Sequence, residues 1–260
     1  MTAALLGASA LWRREIVRFV RQRSRVSGAL LQPLVFWLLL GGGLNASFQP
    51  AGSAPGTSYV AYFYPGMLAL VLLFTAIFAT IATVEDRRAG FLQGVLAAPI
   101  PRWGIVLGQA LGGSTLAVAQ GAVMLALAPL VGIRLSVLGA LASVAVMVII
   151  AVGLTSLGLI IAWRMDSTQG FHAIMNLILI PIWLLSGAFF PVTGAPAPLR
   201  LVMHLNPLTS GMAALRRCLY LSDPVAAGPL PPLAWCVVVS AAFAAIAFLA
   251  AARTASRSQG

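Results

Sequence analysis

No lysine occurs anywhere in this sequence, so its 16 Lys-plus-Arg positions are all arginine. A chain without lysine carries no phosphate-binding loop of the G-x-x-x-x-G-K-[ST] kind and forms no lysine Schiff base. Acids are almost as scarce: Glu15, Glu85, Asp86, Asp166 and Asp223 are all there are. Charged residues make up 8% of the chain, whereas a soluble domain carries about a quarter. The two cysteines, Cys218 and Cys236, lie too far apart for a metal pair of C-x-x-C type. A disulfide between them is conceivable, and two unpaired thiols among small apolar residues is the simpler reading.

What the chain does have is apolar length. Hydrophobic residues make up 60% of it, and they recur in runs of roughly 20, the number that crosses a hydrocarbon core at about 1.5 Å per residue. The fold class expected is an all-α integral membrane protein, a single transmembrane domain over 1–260. The net charge of +11 would suit nucleic acid, but the arginines sit in short patches beside apolar spans. Membrane topology and anionic lipid account for that placement, and no nucleic-acid partner is expected.

The segment 11–26 is too charged to span. Trp12, Ile16, Phe19 and Val20 share one helical face, and Arg14, Arg18, Arg21 and Arg25 share the opposite one. That pattern predicts a helix lying in the cytoplasmic interface, within a region 1–26. A cleaved signal with a basic n-region is the alternative, and the several spans that follow disfavour it. Six spans are expected, at about 27–44, 59–84, 103–133, 135–163, 171–190 and 233–252, with a Gly/Pro/Ser-rich loop at 45–58. Gly104, Gly108 and Gly112 recur every four residues in the third and would allow close helix contact.

Arginine bias sets the orientation. With the N-terminus inside, Arg13, Arg14, Arg18, Arg21, Arg23, Arg25, Arg87, Arg88, Arg102, Arg164, Arg253 and Arg257 are cytoplasmic. Arg134, Arg200, Arg216 and Arg217 are then outside, and Tyr59, Tyr62 and Tyr64 form an aromatic belt at the outer end of the second span. Both termini are therefore expected in the cytoplasm. The stretch 191–232 is proline-rich yet apolar. After the Asn206-Pro207 turn, Thr209 or Ser210 is a candidate cap for a short helix with Leu208, Met212, Leu215 and Leu219 on one face. A re-entrant or interfacial outer hairpin needs such a stripe, and an ordinary outer loop does not.

None of the five acids lies within an expected span, which argues against a proton- or sodium-coupled carrier. His172 and His204 fall at opposite faces and cannot share a metal. The stretch 85–102 opens with Glu85, Asp86, Arg87 and Arg88, which are expected at a helix N-terminus where the dipole favours acids. Phe91, Leu92, Val95 and Leu96 then make an apolar patch before Pro99 and Pro101. Such a helix suits docking into a partner's groove, or packing on the protein's own membrane surface.

The ordered set of Tyr64-Pro65-Gly66-Met67-Leu68, Glu85-Asp86-Arg87-Arg88-x-Gly90-Phe91-Leu92, Leu96-Ala97-Ala98-Pro99-Ile100-Pro101-Arg102, Ser186-Gly187-x-Phe189-Phe190-Pro191 and Asn206-Pro207 resembles the permease subunits of type-2 ABC exporters. The resemblance is nearest to the drug-resistance-type branch. It implies a complex of two permeases, identical or related, with two ABC-type ATPase subunits that bind ATP and Mg. This chain itself would hold no cofactor and no catalytic residue. Glu85, Asp86, Arg87, Arg88, Phe91, Leu92, Val95 and Leu96 would form the coupling helix against the ATPase, and the N-terminal helix would touch it too. The path would run between two permeases, with Phe74, Thr75, Phe78, Asn176 and Trp183 as candidate liners, or else as packing residues. The setting implied is a bacterial inner membrane and a hydrophobic or amphipathic cargo, drug or lipid-like. Export of a lipid-linked glycan is the alternative. A membrane-embedded lipid-modifying enzyme is the rival from another class, for which Glu85-Asp86 is too small an acidic motif.

Overall fold

The computed structural model describes residues 2–21, 31, 33–44, 58–98 and 100–257. Most of the loop at 45–58, part of the first expected span at 27–44, and residues 22–26 with Arg23 and Arg25 therefore lie outside the described residues, as does Pro99. Among the described residues every regular element is helical. Four helices are long and apolar enough to cross a membrane: Tyr59–Arg88, Val137–Ala162, Thr168–Ala188 and Leu233–Arg257. They fall on the second, fourth, fifth and sixth expected spans.

The first helix, α1, runs Thr2–Arg21, starting well before the expected residue 11. The apolar centre of the bundle is α2, Tyr59–Ala79, nearly all of whose side chains are buried. A kink at Thr80, whose hydroxyl donates to the Ile77 carbonyl, leads into α3, Ile81–Arg88. Gly90, in the left-handed region at φ 73°, turns the chain into α4, Phe91–Ala97. The acids Glu85 and Asp86 therefore sit in the last turn of α3 and not at a helix N-terminus as expected. The apolar run that begins at Tyr59 carries helix through them, and glycine, not charge, ends it.

Next comes α5, Arg102–Ala126, which covers the third expected span but stops short of residue 133. Five glycines and two glutamines dilute its apolar content. A 3-10 turn, Ala128–Val131, and left-handed Gly132 end it, and α6, Val137–Ala162, follows with Ser136 as its cap. Helix α7, Thr168–Trp183, continues through π-helical Leu184–Ala188. Two short helices, α8 (Ala197–Leu205) and α9 (Pro207–Leu219), meet at Asn206, and α10 runs Leu233–Arg257. The cap of α9 is Asn206, whose Oδ1 accepts from the Leu208 amide at 3.0 Å, in place of the expected Thr209 or Ser210. Its apolar stripe of Leu208, Met212, Leu215 and Leu219 is buried as the spacing predicts. Both cysteine thiols are free and buried.

The glycine repeat of α5 is the seat of α1. A Cβ at Gly108 would lie 2.7 Å from the Ala8 carbonyl and 2.8 Å from Leu11 Cβ, and one at Gly112 would lie 2.7 Å from Glu15 Cβ. Ala4, Ala8, Leu11 and Glu15, a stripe at helical spacing, are buried there. The expected face of Trp12, Ile16, Phe19 and Val20 is a different side of α1, and Trp12 and Val20 on it stay exposed. Small side chains decided which face packs, because only they allow backbones to approach this closely.

Candidate functional site

Three family-like motifs converge at the end of the bundle where α2 begins. Pro65 lacks the amide that would serve the Ala61 carbonyl one turn back. The Tyr220 phenol donates to that carbonyl at 2.8 Å, and burial pushes this phenol's pKa up to about 12, so it stays protonated. Gly66 lies against Ala188, where a Cβ would come within 2.8 Å, and its carbonyl accepts from Trp183 Nε1 at 2.8 Å. At the π-helical end of α7, the Ile182 carbonyl accepts from Asn206 Nδ2 at 2.6 Å, and the Thr209 hydroxyl lies 2.6 Å from the Met203 carbonyl and 3.2 Å from that of Leu185. These contacts satisfy backbone groups that an irregular helix end leaves open, as apolar surroundings demand. Tyr64-Pro65-Gly66, Ser186-Gly187 and Asn206-Pro207 therefore act together as an architectural knot.

The opposite end of the 30-residue helix Tyr59–Arg88 gathers the charges. Arg14 forks onto Asp86, with Nη1 at 2.5 Å from Oδ2 and Nη2 at 2.8 Å from Oδ1. Arg18 reaches Asp86 Oδ1 at 3.1 Å and also pairs with Glu85. The hydrogen bond to Asp86 pushes the Arg14 pKa further up, so the guanidinium never loses its charge here. Arg87 donates to the Trp163 carbonyl at 2.6 Å and pairs with Asp166 at 3.1 Å, fastening this end to the turn between α6 and α7. Arg88 is exposed. Three arginines thus offset three carboxylates, including the two that end α3 where the helix dipole disfavours them.

This network positions α4. Of its four expected contact residues, Leu92 is buried, and Val95 and Leu96 are half-buried against Leu11, Ile105, Val106 and Trp163. Phe91 is 40% exposed and lies under Arg14, whose guanidinium carbon is 3.9 Å from the ring centroid. Gln93, Gly94 and Ala97 are exposed beside it. One side of α4 therefore packs on the chain's own core and the other is open. The sequence reading missed Arg14 and Arg18 as partners of the acids. Their i, i+4 spacing opposite an acidic pair was the available signal.

The five candidate path residues divide. Thr75 is buried and donates to Gln120 Oε1 at 2.5 Å, and Trp183 is buried among Phe63 and Phe189. Phe74, Phe78 and Asn176 lie on the open side of α2 and α7. There Phe74 packs on Phe78 at 5.4 Å between centroids and Phe78 on His172 at 5.2 Å, with exposed Asn176 one turn beyond. Among the described residues no group of His, Cys, Asp and Glu is placed to hold a metal ion.

Comparison with known proteins adds the following. A family described as "ABC-2 type transporter" matches residues 8–220. Nodulation protein J of Rhizobium leguminosarum bv. trifolii is 29% identical over 212 residues, covering 80% of this chain and 79% of that protein. Nodulation protein J of Rhizobium meliloti is 28% identical over 214 residues, covering 80% and 79%. A ycf38 protein of Cyanophora paradoxa, named as a transport permease, is 27% identical over 208 residues, covering 79% and 71%.

Proposed function

This chain belongs to the ABC-2 type transporter family, and from that premise we propose that it is the membrane subunit of an ATP-driven exporter, working with a separate ABC-type ATPase and a second permease copy. The observation that carries the reading is α4, a helix open on one side that follows directly on α3, whose ion pairs tie it to α1 and to the α6–α7 turn. A connector between two spans needs no such bracing, whereas a helix that receives a push from a partner does. ATP and Mg would be bound by the partner, since a lysine-free chain has no phosphate-binding loop of its own.

In this reading Phe91, Gln93, Gly94 and Ala97 face the ATPase, while Leu92, Val95 and Leu96 anchor α4 to the permease. Glu85, Asp86 and Arg87 couple by holding α3 to α1 and to Asp166, and the load passes from α3 through the kink at Thr80 into α2. Six spans complete the architecture, with α5 and the segment at 27–44 joining the four most apolar helices. Both termini lie in the cytoplasm, α1 presents Trp12 and Val20 to the lipid interface, and α8–α9 forms an outer re-entrant hairpin. The path runs along the open side of α2 and α7, where Phe74, Phe78 and Asn176 offer a mostly apolar lining to a hydrophobic or amphipathic cargo. The test is ATP hydrolysis: the purified chain should show none, and hydrolysis should appear only when an ABC-type ATPase is added. Hydrolysis by the verified-pure chain would contradict the reading.

A further inference from the structure

At the end of the bundle away from α4, a cavity of about 430 Å³ opens between the start of α2, the π-helical end of α7, the α8–α9 pair and the start of α10. Its lining is unusual in charge. Arg200, His204 and Arg216 line it, and no carboxylate does. Arg216 is only 6% exposed. Its Nη2 donates to the Tyr62 and Gly187 carbonyls at 3.2 and 3.3 Å, and the guanidinium lies over the Tyr62 ring at 4.0 Å. Its Nε is buried with no hydrogen-bond partner among the described residues. The one acid of the 191–232 segment, Asp223, is exposed and its side chain accepts from the Ala226 amide instead.

A buried guanidinium without a counter-ion is costly, and two carbonyl contacts with one ring do not neutralise it. The backbone is shaped around the charge. Gly187, held at φ 84°, breaks the helix and presents its carbonyl to Arg216, a conformation that other residues rarely adopt. Ser210 also lines the cavity with its hydroxyl, while the Ser186 and Thr209 hydroxyls donate to the Trp183 and Met203 carbonyls, and the exposed Trp235 with Leu230 gives it an apolar lip. A guanidinium and a serine hydroxyl beside an apolar lip are the recognition chemistry of a phosphate-type anion carried on an amphiphile.

The geometry points to a binding site for a phosphate-type anion, with Arg216 as its buried anchor, Arg200 at its mouth, and the apolar part of an amphiphile resting on Trp235. The placement of this cavity at the outer face rests on the topology proposed above. The anion site does not, because it stands on the cavity and the unpaired charge. Its lining includes none of Phe74, Phe78 and Asn176.

The test uses the full chain alone in neutral detergent, with no ATPase and no transport, so that its failure leaves the export reading untouched and the reverse. Three probes are titrated by thermal unfolding and native mass spectrometry: dihexanoyl phosphatidylglycerol, dihexanoylglycerol and inorganic phosphate. Saturable binding of the phosphatidylglycerol, with none of the uncharged dihexanoylglycerol, is expected. Phosphate binding about tenfold or more weaker would assign the anion to a lipid-like ligand, whereas equal binding would assign it to a free ion. Arg216→Gln should weaken either by about tenfold or more. Should Arg216→Gln fail to fold, Arg200→Gln, at an exposed position where it gives up only contacts to the Thr193 and Ala195 carbonyls, should still fold and weaken binding several-fold. No saturable binding of either anion, equal binding of dihexanoylglycerol, or affinity unmoved by Arg216→Gln in a folded protein or by Arg200→Gln would overturn the site.

Discussion

Arg14 and Asp86, 72 positions apart in sequence, meet through two hydrogen bonds and so tie the N-terminal helix to the last turn of α3. Asp86 is buried to within a few per cent of its side chain, whereas Arg14 is about a third exposed. Asp86→Ala should therefore leave Arg14 without its main acceptor and Arg18 with Glu85 alone, and destabilise the protein by about 2–3 kcal/mol. A double-mutant cycle with Arg14→Ala, read by thermal unfolding in detergent, should return a coupling of about 1 kcal/mol or more. Additive single changes would mean that the contact contributes nothing.

Gly108 offers a steric test of how α1 is seated. The Cβ of Gly108→Ala would press on the Ala8 backbone, which cannot move without lifting α1, so a loss of about 1–3 kcal/mol is expected. Gly94 in α4 has nothing within 4 Å of its would-be Cβ. Gly94→Ala should leave the stability of the permease level or raised by up to about 1 kcal/mol, since alanine favours helix. Equal losses at the two positions would contradict the packing described.

The Tyr220–Pro65 relationship predicts a rescue. Tyr220→Phe removes the donor to the Ala61 carbonyl and should cost about 1–3 kcal/mol. Pro65→Ala restores a backbone amide at that turn, so the double variant should lose less than the sum of the singles. Unfolding temperatures of the four proteins decide it, and strict additivity would show that Tyr220 does not serve the carbonyl freed by Pro65.

Topology can be read by thiol labelling without removing Cys218 or Cys236, because both are buried. Single cysteines at exposed Ser222 and exposed Gln93 should differ. An impermeant reagent on intact cells should label Ser222→Cys and spare Gln93→Cys. The opposite pattern would invert the proposed orientation.

Much of this was legible in sequence because the membrane imposes length and polarity rules that are local. Four of the expected spans correspond to helices of sufficient length and apolarity, and the glycine repeat of α5 signalled close contact correctly. What stayed hidden was non-local. Nothing in a face-by-face reading of α1 shows that Ala4, Ala8, Leu11 and Glu15 outcompete the larger apolar face, because that choice depends on the glycines of α5. The dipole argument failed at Glu85 and Asp86 because it assumed that charges start a helix, whereas Arg14 and Arg18 let a helix end on them. Phe91, Leu92, Val95 and Leu96 looked like one patch, and only packing shows that Leu92 turns inward and Phe91 outward.

That division within α4 supplies the most direct measurement of the exporter reading. Co-purification of an ABC-type ATPase with the tagged permease should be compared for Phe91→Ala and Leu92→Ala, alongside the unfolding temperature of each permease alone. Leu92→Ala should lower the intrinsic stability by about 2–5 kcal/mol, as for other buried leucines. Phe91→Ala should leave the isolated permease nearly as stable, yet reduce ATPase retention and uncouple hydrolysis from export. Full retention and full export with Phe91→Ala, together with a loss of stability matching that of Leu92→Ala, would contradict the assignment of α4 as the helix that receives the ATPase.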